Sequence, residues 1–397
     1  MFSKFKTIFH LSNRDLLTAL IATLFFGAAG GIYQTILNNY LAKVHHLGAE
    51  TRGWLEFPRE LPGFLIVFTS GALVMIMRET KMAAFSMILA AIGAMGMGYL
   101  SPGTTMLIVW LMIYSFGEHI IFTVEGVIGL KLSRKGAEGH RLGQFGGARN
   151  IGQIIGVGLI FVLAKIVGER FDLFFLIIAL FALMAGVLYG RIKVGKGEPP
   201  AKRMVFKKKY KIFYAISALF GIRKQIFIAF GGWVLVALND VPVSTIALLY
   251  FISALIGVVF RPLLGDVIDW LGERIVLAVD ELLIIAICMT YAFASDLIPA
   301  PYHLWALYSA YVFDGVLFAL RIARTTYLKK IADDPQDITP TIAAGITIDH
   351  SVAMTLPILS GYIWEAWGFQ YVFILASAIA LMGFFICLKI KVPEVAK

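Results

Sequence analysis

Long apolar runs, separated by short polar breaks that hold glycine and proline, recur along the whole chain, and their length fixes the first inference. A helix that crosses a bilayer needs roughly 20 mostly apolar residues. The sequence offers twelve such runs, at about 14–42, 55–77, 82–100, 105–131, 141–167, 172–190, 211–240, 245–265, 275–295, 303–328, 341–366 and 369–390. They are too long for barrel strands, lack period-2 alternation and carry helix formers throughout, so the pattern predicts helices. The expected class is an all-α, multi-pass membrane protein with twelve transmembrane helices.

Composition agrees: 59% hydrophobic and 15% charged residues leave too little polar surface to cover a soluble globule of 397 residues. A net charge of +10 would suggest nucleic acid in a soluble protein, but the placement of the basic residues explains it better. With both termini cytoplasmic, 24 of the 35 lysines and arginines fall in inner loops and tails, five in outer loops and six within the spans. That asymmetry is the positive-inside bias, and it implies a bilayer partner and no nucleic acid. The first run follows a basic, Phe-rich start without a small-residue cleavage site, which reads as a retained anchor. The location expected is the plasma membrane, the inner membrane in a bacterium.

Cys288 and Cys387 lie in apolar helix and suggest neither a disulfide framework nor a metal cluster. There is no His-Glu-x-x-His helix, no Gly-x-Ser-x-Gly elbow and no phosphate loop. An enzyme is therefore not expected, nor a cofactor, nor transport driven by ATP.

The segment 191–210 holds a run of basic residues with Gly195, Gly197, Pro199 and Pro200, and is read as a cytoplasmic linker. It divides an N-terminal six-helix bundle, 1–190, from a C-terminal one, 211–397. Landmarks repeat across it at displacements of about 194 to 200 residues: Gly71 with Gly265, Glu118 with Asp314, Glu125 with Arg321, and Arg149 with Asp349. A parallel repeat of six helices, giving two pseudo-symmetric bundles, is one established transporter layout. It needs no oligomer, and a monomer is expected.

After the eighth run the chain reads Gly265-Asp266-Val267-Ile268-Asp269-Trp270-Leu271-Gly272-Glu273-Arg274. With this G-x-x-x-D-x-x-G-x-R spacing the sequence resembles the major facilitator superfamily, whose signature stands between helices two and three and again between eight and nine. The first copy here, from Gly71 to Lys81, has Met75 where the second has Asp269. The resemblance implies two six-helix bundles that rock to give alternating access to a midplane site. Physically, the glycines permit a tight reversal, and Asp269 and Arg274 are suited to a charge-assisted latch, with Arg321 or Arg324 as further partners. Gly265, Asp269, Gly272, Arg274 and Arg321 are thus gating candidates. Alternatively these charges are solvated flanks.

An ionised side chain at the bilayer centre costs at least ~2.5–3.5 kcal/mol on insertion scales, so such residues mark a wet cavity or a partner. Glu118, Asp314 and Asp349 are the proton-coupling candidates, because burial favours a protonated carboxyl and a neighbouring cation an ionised one. Arg149, Arg223 and Lys224 are the candidates for binding an anionic solute, since guanidinium recognises carboxylate or phosphate in bidentate fashion. Arg223 and Lys224 fall at the middle of the seventh span if it begins near Lys211; otherwise residues 210–222 form a surface helix with these two as flanks. Glu118 paired structurally with Arg149 is the non-functional alternative. Asp280 and Glu281 carry no assigned role. Glu56, Arg59 and Glu60, interleaved with Pro58 and Pro62, read as an outer helix start or gate. Gly152 and Gly156, with Gly143, Gly146 and Gly147, suit close helix packing.

The function expected is a secondary active transporter of a small anionic organic solute, coupled to protons. The alternative is a proton-coupled exporter of amphipathic or cationic compounds.

Overall fold

The computed structural model describes residues 14–134, 137–193, 206–300 and 302–392. Most of the linker and both extreme termini lie outside those residues. Every regular element among the described residues is helical. The N-terminal part runs through α1 (Arg14–Lys43), the short α2 (Ala49–Trp54), α3 (Glu56–Ile76), α4 (Glu79–Tyr99), α5 (Thr104–Lys131), α6 (Glu138–Val167) and α7 (Phe171–Arg191). The C-terminal part follows with α8 (Lys211–Ile226), α9 (Val243–Leu297), α10 (Tyr302–Leu317), α11 (Arg321–Ile331), α12 (Ile338–Trp367) and α13 (Phe369–Cys387).

These elements reproduce the apolar runs. Among the described residues, eleven stretches are long and apolar enough to cross a membrane, including Lys208–Leu238 and Tyr302–Ile331; the 21-residue α3 is a further long helix. Three features of the chain set the span boundaries. Gly272, at φ 78° and ψ 156°, breaks α9 into two spans inside the loop signature, because only glycine adopts that backbone freely. Gly168 and Gly368, at φ 73° and 108°, turn α6 into α7 and α12 into α13, and stand 200 positions apart. The seventh span is carried past α8 by π-helical turns at Phe227–Gly231 and Val234–Leu238. Such turns leave backbone carbonyls loosely paired and recur at functional sites.

The chain forms two compact units. The first comprises Met1–Tyr40, Leu65–Ala201 and Val243–Leu248; the second comprises Leu41–Phe64, Lys202–Pro242 and Leu249–Lys397.

In the first unit, Gly152 and Gly156 press α6 onto the backbone of α1 at Leu24 and Ala28, where any side chain would collide. Gly143, Gly146 and Gly147 instead face open space, so of the five glycines read as packing positions only two lie in that contact. Tyr33 stacks on Tyr114 with ring centroids 4.1 Å apart.

In the second unit, α8 lies along α12. A Cβ on Gly221 would come within 2.8 Å of the Asp349 carbonyl, and one on Gly345 within 2.8 Å of the Phe213 ring. Small residues on both helices thus allow the close crossing. The aromatic cluster of Phe227, Tyr291 and Phe373 fills the space beside it, with Tyr291 and Phe373 stacked at 4.6 Å.

Candidate functional site

Arg223 and Lys224 stand in the middle of the continuous span Lys208–Leu238. Adjacent residues on a helix point about 100° apart, so these two cations reach different neighbours. Arg223, almost fully buried, donates from one nitrogen to both oxygens of Asp280 at 3.1 and 2.9 Å and from the other to Asp314 at 3.4 Å. Lys224 turns to α12 and donates to Asp349 at 2.7 Å. The second link depends on Gly221, one turn earlier, which seats α8 against the backbone of Asp349.

The site is larger than the residues singled out in the sequence. Asp280, given no role there, is the principal partner of Arg223. Its signal was present as an acid inside an apolar run, but its position near a span end concealed it. Glu281 also lies close, its carboxyl turned toward Gly383 of α13. A small cavity beside Arg223 is lined by Phe220, Asp280, Glu281, Arg321 and Arg324.

A second polar network continues from Lys224 through the start of α3. His350 Nδ1 lies 2.8 Å from Glu60, Arg59 bridges Glu60 at 2.5 Å and Glu56 at 2.6 Å, and Glu56 also accepts from Arg52 and Gln225. Arg52 reaches on to the Ile228 carbonyl at 3.2 Å, inside the π-helical turn. Glu56, Arg59 and Glu60 are all buried. A buried carboxylate of this kind requires its cations, and removing one partner of such a pair typically costs about 3–5 kcal/mol. Pro58 occupies the first turn of α3, where its missing N–H costs nothing.

In the first unit, Arg149 forms an ion pair with Glu125. Its guanidinium lies against the rings of both Phe26 and Phe122, 5.4 Å from each. Tyr189 donates to Glu125 at 3.3 Å and shares a hydrogen bond with Thr23 at 2.9 Å. Glu118 is buried one turn beyond Tyr114, on the same helix face as Glu125. His119 bonds back to Ser115 of its own helix, at 3.0 Å to the hydroxyl and 2.9 Å to the carbonyl.

At the loop signature, Gly265, Asp269 and Arg274 are exposed, and neither charge forms an ion pair among the described residues. The buried acid there is Glu273, paired at 2.7 Å with Lys330 at the end of α11. Arg321 lies on the Phe318 ring and Arg324 on the Phe220 ring, at 5.4 and 4.7 Å, and neither forms an ion pair among the described residues. Outside the spans, Lys207 pairs with the buried Asp337, whose carboxylate holds the ammonium above its ordinary value.

A sequence profile of the Major Facilitator Superfamily matches residues 19–336, most of the chain. The protein belongs to that superfamily. Solved structures share its fold: the nucleoside transporter NupG (15% identity, 95% of this chain and 99% of that one, TM-score 0.75), a bacterial homologue of the human lysosomal transporter Spinster (15%, 94% and 95%, 0.73) and a D-xylose-proton symporter (16%, 96% and 97%, 0.70). No curated protein matches the sequence.

Proposed function

We propose that this member of the superfamily is a secondary active transporter that moves a small organic anion by alternating access, coupled to protons. The observation that carries the reading is the cluster around Arg223: one guanidinium held in the middle of a span by two carboxylates, Asp280 and Asp314. One cation facing two acids leaves an excess negative charge in an apolar setting, which a proton on Asp314 would remove. Loss of that proton, or arrival of an anionic solute at Arg223 or Lys224, changes the pairing in opposite senses. That competition couples the two movements.

In this scheme Arg149, Arg223 and Lys224 receive the solute, and Glu118, Asp314 and Asp349 carry the proton. Residues 1–190 and 211–397 act as the two moving halves, joined by 191–210. The signature residues Gly265, Asp269, Gly272 and Arg274, with Arg321, gate the inner side, where the Glu273–Lys330 pair is the ready-made latch. The chain works as a monomer in the plasma membrane, with both termini in the cytoplasm.

Support comes from the physical cost of mid-span ionised groups, which is hard to reconcile with a carrier of purely apolar compounds. The competing reading is a proton-coupled exporter of amphipathic or cationic compounds, favoured by buried acids within the spans such as Glu118, Glu125, Asp280 and Asp349.

Uptake into proteoliposomes under an imposed pH gradient distinguishes the two. A panel of organic acids is expected to accumulate with the inside alkaline, and Arg223→Gln to abolish it. Accumulation of cationic dyes alone, with organic acids inert, would overturn the anion reading.

A further inference from the structure

Among the described residues, Arg261, Arg321 and Arg324 are span cations of the second unit that form no ion pair; Asp349 acts on Arg321 and Arg324 only across space. Asp280 and Asp314 are engaged by Arg223, Asp349 by Lys224, and the Glu281 carboxyl is turned toward Gly383. Arg321 and Arg324 are three residues apart on one helix face. Their guanidinium carbons lie over the rings of Phe318 and Phe220, which are themselves 5.2 Å apart. Arg261 lies within electrostatic range of Arg321. One nitrogen of Arg324, Nη1, is buried without a hydrogen-bond partner, at the small cavity it lines with Arg321.

The internal repeat makes this arrangement more pointed. Glu125 and Arg149 of the first unit form an ion pair. Their counterparts at the repeat displacement are Arg321 and Asp349, the same pair with its signs exchanged. In the second unit that pair is open, because Lys224 takes Asp349. Three guanidinium groups that cannot lose their protons repel one another inside a low-dielectric span, and an anion would relieve both that repulsion and the unpartnered nitrogen.

We propose that Arg321 and Arg324, with Arg261 beside them, bind the oxyanion of the transported solute, a carboxylate or phosphoryl group. The aromatic rings fix the guanidinium planes, so that their outer edges present paired donors to a planar or tetrahedral oxyanion. This site opens on the same small cavity as Arg223 and takes the anion before or after the Arg223 cluster does. It rests on the anion reading given above and assigns that reading a second set of residues.

The test uses the full-length protein in detergent, with thermal unfolding followed against citrate, succinate and inorganic phosphate as probes and chloride as control. The expected result is saturable stabilisation of the parent protein, weakened tenfold or more in both Arg321→Gln and Arg324→Gln and only in part in Arg324→Lys. Arg321 is exposed, so its substitution leaves folding intact and keeps the test valid if Arg324→Gln fails to fold. Unchanged affinity in Arg321→Gln and Arg324→Lys overturns the assignment while leaving anion transport standing. Absence of stabilisation by every anion in the parent protein, together with uptake of cationic dyes, overturns the assignment and the anion reading together. A lipid phosphate is the other source of such an oxyanion. Stabilisation by phosphatidylglycerol in nanodiscs, with none by the soluble anions, overturns the solute assignment in its favour.

Discussion

Lys224 and Asp349, 125 positions apart in the chain, meet at 2.7 Å because Gly221 lets their helices cross without a side chain between them. The pair is buried on both sides, with 14% and 11% of the side chains exposed. Packing and charge placement are thus one feature of the fold, and each is separately testable.

Asp349→Asn removes the charge and leaves the Lys224 ammonium in an apolar setting. The expected loss of stability is about 3–5 kcal/mol. Exchange of the two residues, Lys224→Asp with Asp349→Lys, restores part of it. Both cysteines are buried, so a thiol-reactive fluorogenic dye reports unfolding directly. No loss in Asp349→Asn would rule out the ion pair.

Gly221→Leu overpacks the α8–α12 crossing, at an expected cost of about 1–3 kcal/mol, and reduces the transport rate with it. Gly147→Ala, at a helical position facing open space, should be neutral or stabilising by up to about 1 kcal/mol. Thermal unfolding of the two variants side by side checks the sign. A destabilised Gly147→Ala beside a tolerated Gly221→Leu would mean the helices cross elsewhere.

Glu56→Gln keeps the shape of the side chain but strips the charge that Arg52, Arg59 and Gln225 share. A loss on the order of 3 kcal/mol or more is expected, since two buried cations are left behind. The same dye assay measures it, and a change below about 0.5 kcal/mol would show that the network is solvated.

At the loop signature the exposed Asp269 and the buried Glu273 should behave differently. Asp269→Asn is expected within about 0.5 kcal/mol of the parent. Glu273→Gln leaves a half-exposed Lys330 that rehydrates, so its cost is smaller than at Asp349, about 1 kcal/mol. Transport rates of the two variants in proteoliposomes show which acid holds the inner ends. Equal loss of rate in both would assign the latch to the signature as a whole.

How much of the site the sequence revealed differs from residue to residue. Asp314, Asp349, Arg223 and Lys224 were visible as charges interrupting apolar runs, a local property. Asp280 was not, because an acid at the sixth position of a run reads equally well as a flank. Arg149 was visible as a mid-span cation, but its ion pair with Glu125 was not, because Glu118 and Glu125 are one heptad apart on the same face and the sequence alone ranks neither first.

The number, length and order of the spans, the break at Gly272 and the membership of the superfamily follow from the sequence alone. Hydrocarbon demands about 20 apolar residues in succession, and a glycine at positive φ acts on its own neighbours, so each of these is decided within a short window. Which charge meets which was decided by tertiary structure. The pairs join residues as far apart as Glu60 and His350, 290 positions, and contact at that separation depends on the rotation and crossing of whole helices, which no window of the chain contains.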